Sequence, residues 1–390
     1  GLALGIFGIA VLVAPALGPM LGGILVDAGW WRAIFFINPP IGLLGIFLGS
    51  RFLPDFKIHH KPRLDLWGLI TEIIGFGAIL YAASIAANVG WNAPDVLLWF
   101  AIGAIGLAAF VVVELFIAKE PLLDLRLFAK RIFTNATVLG YVSVIALFGA
   151  EFLMPIYLQS VRGISATATG FILVPMAITG AIATVIAGRM YDKIGPRMIM
   201  GFGFGVLMIN TWQLSQLKGD TPLSWIIFLL ALRGIALGST VQTTLVTALS
   251  VVPLPKVAGG SSLINATRQV VQAIGIAVLA TVLASTLSPQ VAALQQQILD
   301  IPPQVGAPPF GVCEAPPSDP QAMPSLQLPA NARDLLGQAC VETVSGFEQA
   351  YKVTFFASIV AVVLGLLLPG WPGKWAGRRA ADAPPVAMGH

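Results

Sequence analysis

The sequence predicts an all-α, multi-pass transmembrane helical bundle, and three observations carry that prediction. Composition is the first: of 390 residues, 57% are hydrophobic and 10% charged, with 41 glycines and a mean hydropathy of +0.86. Soluble domains carry about 25% charged residues, so this composition describes a chain dissolved in lipid. The second is a series of ten apolar stretches, each close to the roughly 20 residues that cross a bilayer. The third is the sorting of lysine and arginine between their connections, which in membrane proteins favours the cytoplasmic side.

Taken in order, the first stretch is 2–26, and a very short loop separates it from 33–50. The polar linker from Arg51 to Lys61 leads into a pair at 65–87 and 96–118. Six more follow at 134–157, 167–190, 198–216, 223–249, 260–285 and 351–370. The triple glycine Gly201, Gly203 and Gly205 lies inside an apolar stretch with no strand before it, so it reads as helix packing rather than a dinucleotide loop. Between 286 and 350 the character changes: Pro302-Pro303, Pro308-Pro309 and Pro316-Pro317 oppose long regular helices. Short helices are expected there only over 290–299 and 331–349. With the first stretch starting inside, fifteen lysines and arginines fall in cytoplasmic segments and four in the opposite loops. A wrong helix count would scramble that asymmetry.

The most specific local signal is Pro15, Gly18, Pro19, Gly22 and Gly23 in the first stretch. Glycines leave no side chain on one face, so another helix can approach closely, and the prolines bend the backbone where protein covers the freed carbonyls. Gly18-Pro19-x-x-Gly22-Gly23 resembles the antiporter motif in the fifth helix of drug exporters of the major facilitator superfamily. Trp31-Arg32-x-Ile34-Phe35-Phe36-Ile37-Asn38-x-Pro40-Ile41-Gly42 resembles the start of the sixth helix in the fourteen-helix drug:proton antiporters of EmrB/QacA type. Gly188, Arg189, Asp192, Lys193, Gly195 and Arg197 resemble the superfamily's signature loop, in which an acid meets a helix end or a cation while a glycine turns the chain.

The resemblance implies the superfamily fold lacking its first four helices, since residue 1 is a glycine inside a helical stretch. Residues 1–55 would then be a remnant of the amino-terminal bundle, 56–133 an inserted helix pair, and 134–390 a carboxy-terminal six-helix bundle with an extracytoplasmic loop at 286–350 and a cytoplasmic tail. It implies efflux of small amphipathic toxic compounds in exchange for protons across a bacterial inner membrane. The implied partners are those substrates, protons and the lipid bilayer, with a periplasmic adaptor as a further candidate. A proton-coupled uptake symporter, a non-transporting scaffold and an inactive truncated transporter are the alternatives.

Polar residues inside the apolar stretches mark the expected path. Ser261, Asn265, Arg268, Gln272 and Gly275 are spaced by four, three, four and three residues, which makes one helical stripe. Arg233, Thr240, Thr244 and Thr247 form a similar stripe. A charge at the centre of a spanning helix costs about 2.5–3.5 kcal/mol on insertion scales, so both stripes are expected to line a wet cavity. Interhelical hydrogen bonding without substrate contact is the competing reading. Glu151 lies in an apolar helix with Pro155 one turn on. Burial penalises the charged form of such an acid, and proton coupling requires a group that changes protonation near working pH. A structural ion pair with Arg233 is an equal alternative. Glu72 and Glu114 are lesser candidates, and the resemblance places the principal coupling acids in helices that precede this stretch in the family.

Other classes are disfavoured. H-E-x-x-H, G-x-S-x-G and phosphate-loop patterns do not occur, so no enzyme and no cofactor is expected. Adjacent His59 and His60 cannot share a helical face, so no metal site is expected. A net charge of +4 is accounted for by the cytoplasmic loops, which argues against nucleic acid. Cys313 and Cys340, the two cysteines, fall in the same extracytoplasmic loop and are a disulfide candidate, with unlinked thiols as the alternative.

The charge sorting makes a topological prediction: in intact cells, single cysteines at residues 61 and 193 should resist membrane-impermeant maleimide applied from outside, and one at residue 218 should react. Ready labelling at 61 or 193 contradicts the orientation.

Overall fold

The computed structural model describes residues 18–52, 65–118, 123–293, 311–313 and 332–370. Pro15, His59 and His60 lie outside them. Among the described residues the chain is helical with no strand. In order the helices are α1 (18–27), α2 (Ala33–Phe52), α3 (Leu66–Val89), α4 (Pro94–Val112), α5 (Arg131–Ile156), α6 (Ala166–Ile194), α7 (Pro196–Leu214), α8 (Leu223–Leu249), α9 (Val257–Ser285), α10 (289–293) and α11 (Ala332–Leu366). Eight of these, with the turns that extend two of them, are long and apolar enough to cross a membrane. The chain is therefore a multi-pass membrane protein. Helix α7, which carries Asn210, Thr211 and Gln213, is not one of the eight, yet it packs between α8 and α11.

Two helix ends depart from α geometry. Helix α4 runs into a π-turn at Val113–Ile117 and α5 into another at Tyr157–Val161. In α5 the cause is local: Pro155 has no N–H for the carbonyl of Glu151 four residues back. The carbonyls of Ser160 and Val161 at the end of the second π-turn accept instead from the N–H groups of Val312 (2.8 Å) and Cys313 (3.2 Å).

Helix α11 corrects the sequence reading. The separate short helix expected over 331–349 and the span expected over 351–370 are one helix of 35 residues. At 1.5 Å per residue it is about 50 Å long, against a hydrocarbon core of about 30 Å, so it projects well beyond the lipid at its amino-terminal end. Hydropathy is blind to a helix outside lipid, whereas the last proline before it, Pro329, marks its start correctly. Along this projection Cys340 is bonded to Cys313, and a Glu342 carboxylate oxygen accepts from the N–H of Ser288 at 2.8 Å. Gly219, in the α7–α8 turn, lies against the disulfide, which therefore gathers three elements at one end of the bundle.

Backbone contact between α6 and α8 sets the centre of the bundle. A methyl group on Gly234 would overlap the carbonyl oxygen of Met176 and the Thr179 hydroxyl, and one on Gly238 would overlap the carbonyl of Gly180. Thr179 Oγ1 then donates across the interface to the carbonyl of Ala231 (2.7 Å), and Thr184 Oγ1 to that of Gly238 (3.2 Å). Without a hydrophobic force between helices in lipid, such close approach and cross-helix hydrogen bonds supply the association. Helices α3 and α4 pair in the same way through Gly75, Gly103 and Gly106. This pair docks on α9, where Trp91 Nε1 donates to Thr281 Oγ1 at 2.9 Å. On the opposite side of the membrane, Lys256 pairs with Asp124 at 2.7 Å. Helix α2 has no buried residue.

The glycine contacts predict a contrast. Gly238→Ala should destabilise the detergent-purified protein by about 1–3 kcal/mol through overpacking. Gly205→Ala, with nothing within 4 Å of the added methyl, should leave the unfolding midpoint unchanged or slightly raised.

Candidate functional site

Helices α5, α8 and α9 enclose a cleft lined by Ala136, Gly140, Ser143, Leu147, Thr244 and Arg268 among others. The α5 positions are spaced by four, three and four residues, one face of a helix. Glu151, four residues beyond Leu147, continues that face, and its charge acts on both Arg268 and Arg233. The enclosed space is about 30 Å³, whereas small-molecule sites measure about 300–1,000 Å³. The space between these three helices is therefore too small to hold a small molecule, and the face of α5 beside it carries an acid opposite the base Arg268 of α9.

Of the α9 stripe, Arg268 lines the cleft. Gly275 lies against Ile145 of α5, Asn265 is exposed, and Arg268 and Gln272 are half-buried. Asn265 Nδ2 donates to Ser261 Oγ at 3.4 Å. Tyr141 of α5, which sequence reading missed, donates its hydroxyl to Thr267 Oγ1 of α9 at 2.6 Å and fastens the two helices.

The α8 stripe divides. Thr244 faces Gly140 across the cleft, but Thr240 lies against Gly203 of α7, and Thr247 faces Tyr191 of α6. The hydroxyls of all three donate to carbonyls four residues back in their own helix. Arg233, 1% exposed, turns away from the cleft. Its Nη2 donates to the carbonyls of Ala146 (2.8 Å) and Leu147 (2.6 Å) in α5, and its Nη1 to Asn210 Oδ1 in α7 (3.2 Å). Glu151 is therefore an electrostatic neighbour of Arg233 and not its hydrogen-bond partner.

In the turn between α6 and α7, Gly195 adopts φ 77°, in the left-handed region that favours glycine, and its N–H closes on Tyr191 O at 2.9 Å. Arg189, Asp192 and Lys193 are exposed, and Gly188 is half-buried. Arg197 makes the long-range link: its Nε donates to the carbonyl of Leu368 at 2.6 Å, tying this turn to the end of α11. Glu114 is buried in its π-turn and accepts from Leu123 N at 3.2 Å, a loop-anchoring role. Among the described residues no group of three or more metal-ligating side chains occurs.

Of the glycine–proline motif in α1, Gly18 and Gly22 have nothing within 4 Å of an added methyl, while Gly23 sits against the backbone of Ala166 and Thr167 at the start of α6. Reciprocally, Gly170 of α6 sits against the backbone of Met20 and Pro19. Beside this crossing, Asp27 Oδ2 accepts from the N–H of Thr167 at 2.8 Å. Partial burial pushes the Asp27 carboxyl up, but hydrogen bonds from Thr167, Ser165 and Ala166 outweigh it and hold the group below the ordinary carboxylate range. Sequence reading missed Asp27, an acid at a helix end whose partner lies 140 residues away.

Residues 1–276 match the family model of the Major Facilitator Superfamily. The chain belongs to that superfamily. Relatives include the uncharacterized MFS-type transporter YhcA of Bacillus subtilis, 34% identical over 282 residues, 72% of this chain and 53% of YhcA. The lincomycin resistance protein LmrB of Listeria monocytogenes is 29% identical over 73% of this chain and 60% of its own length. The multidrug transporter protein MdtP of Bacillus subtilis is 34% identical over 55% of this chain and 40% of MdtP. The chain thus spans about half the length of the curated relatives it matches.

The Arg233 geometry predicts that Arg233→Lys destabilises the protein although the charge is kept, because an ammonium cannot reproduce the planar fork that reaches two carbonyls and Asn210. Each hydrogen bond to a charged group contributes about 1.5–3 kcal/mol, so a fall of that order in unfolding free energy is expected. Glu151→Gln should leave the unfolding midpoint near that of the parent.

Proposed function

We propose that this superfamily member exports small amphipathic toxic compounds in exchange for protons, as a fourteen-helix antiporter of EmrB/QacA type in a bacterial inner membrane, with its carboxy terminus in the cytoplasm. Residues 1–55, 56–133 and 134–390 would be the end of the amino-terminal bundle, the inserted pair and the carboxy-terminal bundle. The observation that carries this reading is the cleft wall of α5, α8 and α9, where Glu151 and Arg268 interact inside the membrane bundle. Intramembrane ionisable residues mark ion and substrate pathways. The names of LmrB and MdtP, lincomycin resistance and multidrug transport, support drugs as the cargo class.

In this scheme Glu151 takes up and releases the coupling proton, and Arg268 competes with the proton for the carboxylate. Residues Asn265 and Gln272 supply amide groups for a polar part of the substrate. Each proton crossing roughly 150 mV supplies about 3.5 kcal/mol, enough for a several-hundredfold gradient of the exported compound.

The test uses the full-length gene product in proteoliposomes. Glu151→Gln, which mimics the protonated acid, should still carry a fluorescent cationic dye down its gradient and lose export driven by an imposed pH gradient. Unaltered proton-driven export at every pH removes Glu151 from the mechanism.

A further inference from the structure

The contact between the end of α1 and the start of α6 has properties that helix packing alone does not require. Ser165 already caps α6 from within, its Oγ accepting from Ala168 N at 3.2 Å. Asp27 adds a second cap from a different helix, on the N–H of Thr167 at 2.8 Å. The glycines at positions 23 and 170 bring the two backbones together at this point, which leaves little side-chain surface to hold them. Around the contact the apolar side chains of α1 are exposed: Leu21 is 45%, Ile24 41% and Val26 44% accessible. Among the described residues, the Asp27 carboxylate therefore supplies the directional side-chain bond between α1 and the bundle of α5 to α9. By the charge sorting this contact lies on the extracytoplasmic side, whereas the cleft wall of α5, α8 and α9 lies in the cytoplasmic half of those helices.

We propose that Asp27 is the outer latch of the transport path: its carboxylate, bound to the first turn of α6, holds the extracytoplasmic ends of α1 and α6 together while the cytoplasmic cleft is accessible. The proposal rests on the transporter reading above, because only an alternating path needs this contact to break and re-form. A smooth backbone crossing with one charge-assisted hydrogen bond suits that task. It closes with defined register and parts without unpacking a large side-chain interface.

The latch is mechanical and not a proton switch. The first turn of α6 presents Ser165 and Thr167 to Asp27 and no charged side chain, and Arg32 on the following turn lies over the Trp31 ring, 4.5 Å from its centroid. A carboxyl held below its ordinary value keeps its ionised contact above about pH 4 and loses it only as pH falls further. The latch therefore stays engaged across the pH range of a periplasm and opens by helix movement.

The experiment measures distance in the full-length protein in lipid nanodiscs. Spin labels go on Val26→Cys and Ala168→Cys, both exposed, while Cys313 and Cys340 are bonded to each other and do not label. Double electron–electron resonance should show a dominant short distance and a minor longer one, unchanged between about pH 5.5 and 8. Asp27→Ala should shift the ratio toward the longer distance by about ten- to hundredfold, the worth of one hydrogen bond to a charged group. Asp27→Asn, isosteric and still an acceptor, should fall between. An unchanged ratio in both variants overturns the latch. A broad, featureless distribution in place of two distances also overturns it, because α1 would then simply have come loose. The readout does not depend on export, so a protein that responds this way and moves no dye refutes the transporter reading and leaves the contact standing.

Discussion

A guanidinium sealed inside a membrane bundle is the constraint around which the other helices are arranged. Arg233 is as buried as any leucine of the core, and an ion so placed needs acceptors for its donors: Nη1 and Nη2 have them, while Nε has none among the described residues. Its partners come from two other helices: the carbonyls of Ala146 and Leu147 in α5, and Asn210 in α7. Asn210 is in turn bound to α8, donating to Leu229 at 2.7 Å. The depth and rotation of α5, α7 and α8 are thus set together, since a shift of one would strand a buried charge. The α5 carbonyls are already acceptors within their own helix and take a second donor, so the clamp leaves the helix intact.

The clamp also explains the division of labour among the ionisable groups. With Arg233 committed to backbone oxygens, the Glu151 carboxylate interacts with it through space and is left to respond to Arg268 on the other side. A carboxylate locked in a buried, fully hydrogen-bonded ion pair would be a poor coupling group, since changing its protonation would strand its partner. The structural role of Arg233 and the proposed coupling role of Glu151 are compatible for this reason.

Small residues play two different parts. Between α6 and α8, Gly180, Gly234 and Gly238 sit in a permanent interface reinforced by threonine hydroxyls on both sides. Between α1 and α6, Gly23 lies against Ala166 and Thr167 and Gly170 against Met20 and Pro19, with Asp27 beside the crossing. Among the described residues, the first interface carries threonine hydroxyl bonds and the second a carboxylate bond.

The sequence alone determined the membrane class and the order of the apolar helices, because a backbone in lipid must satisfy its hydrogen bonds within each helix. That requirement writes itself into composition as runs of about 20 apolar residues. It also determined the turn at Gly195 and singled out Glu151 and Arg268 as charges within apolar helices. Only the tertiary structure decided which way the polar side chains of α8 point, since a stripe on a buried helix faces neighbours on every side. Thr240 meets α7, Thr244 the cleft, and Thr247 α6. It alone decided the partners of Arg233, because a backbone carbonyl has no residue type to betray it. The continuity of α11 past the lipid was likewise hidden, as hydropathy reports the solvent of a helix and not its length. Asp27 carried no signal in the sequence, because a cap supplied to the N–H of a helix 140 residues away leaves no local pattern.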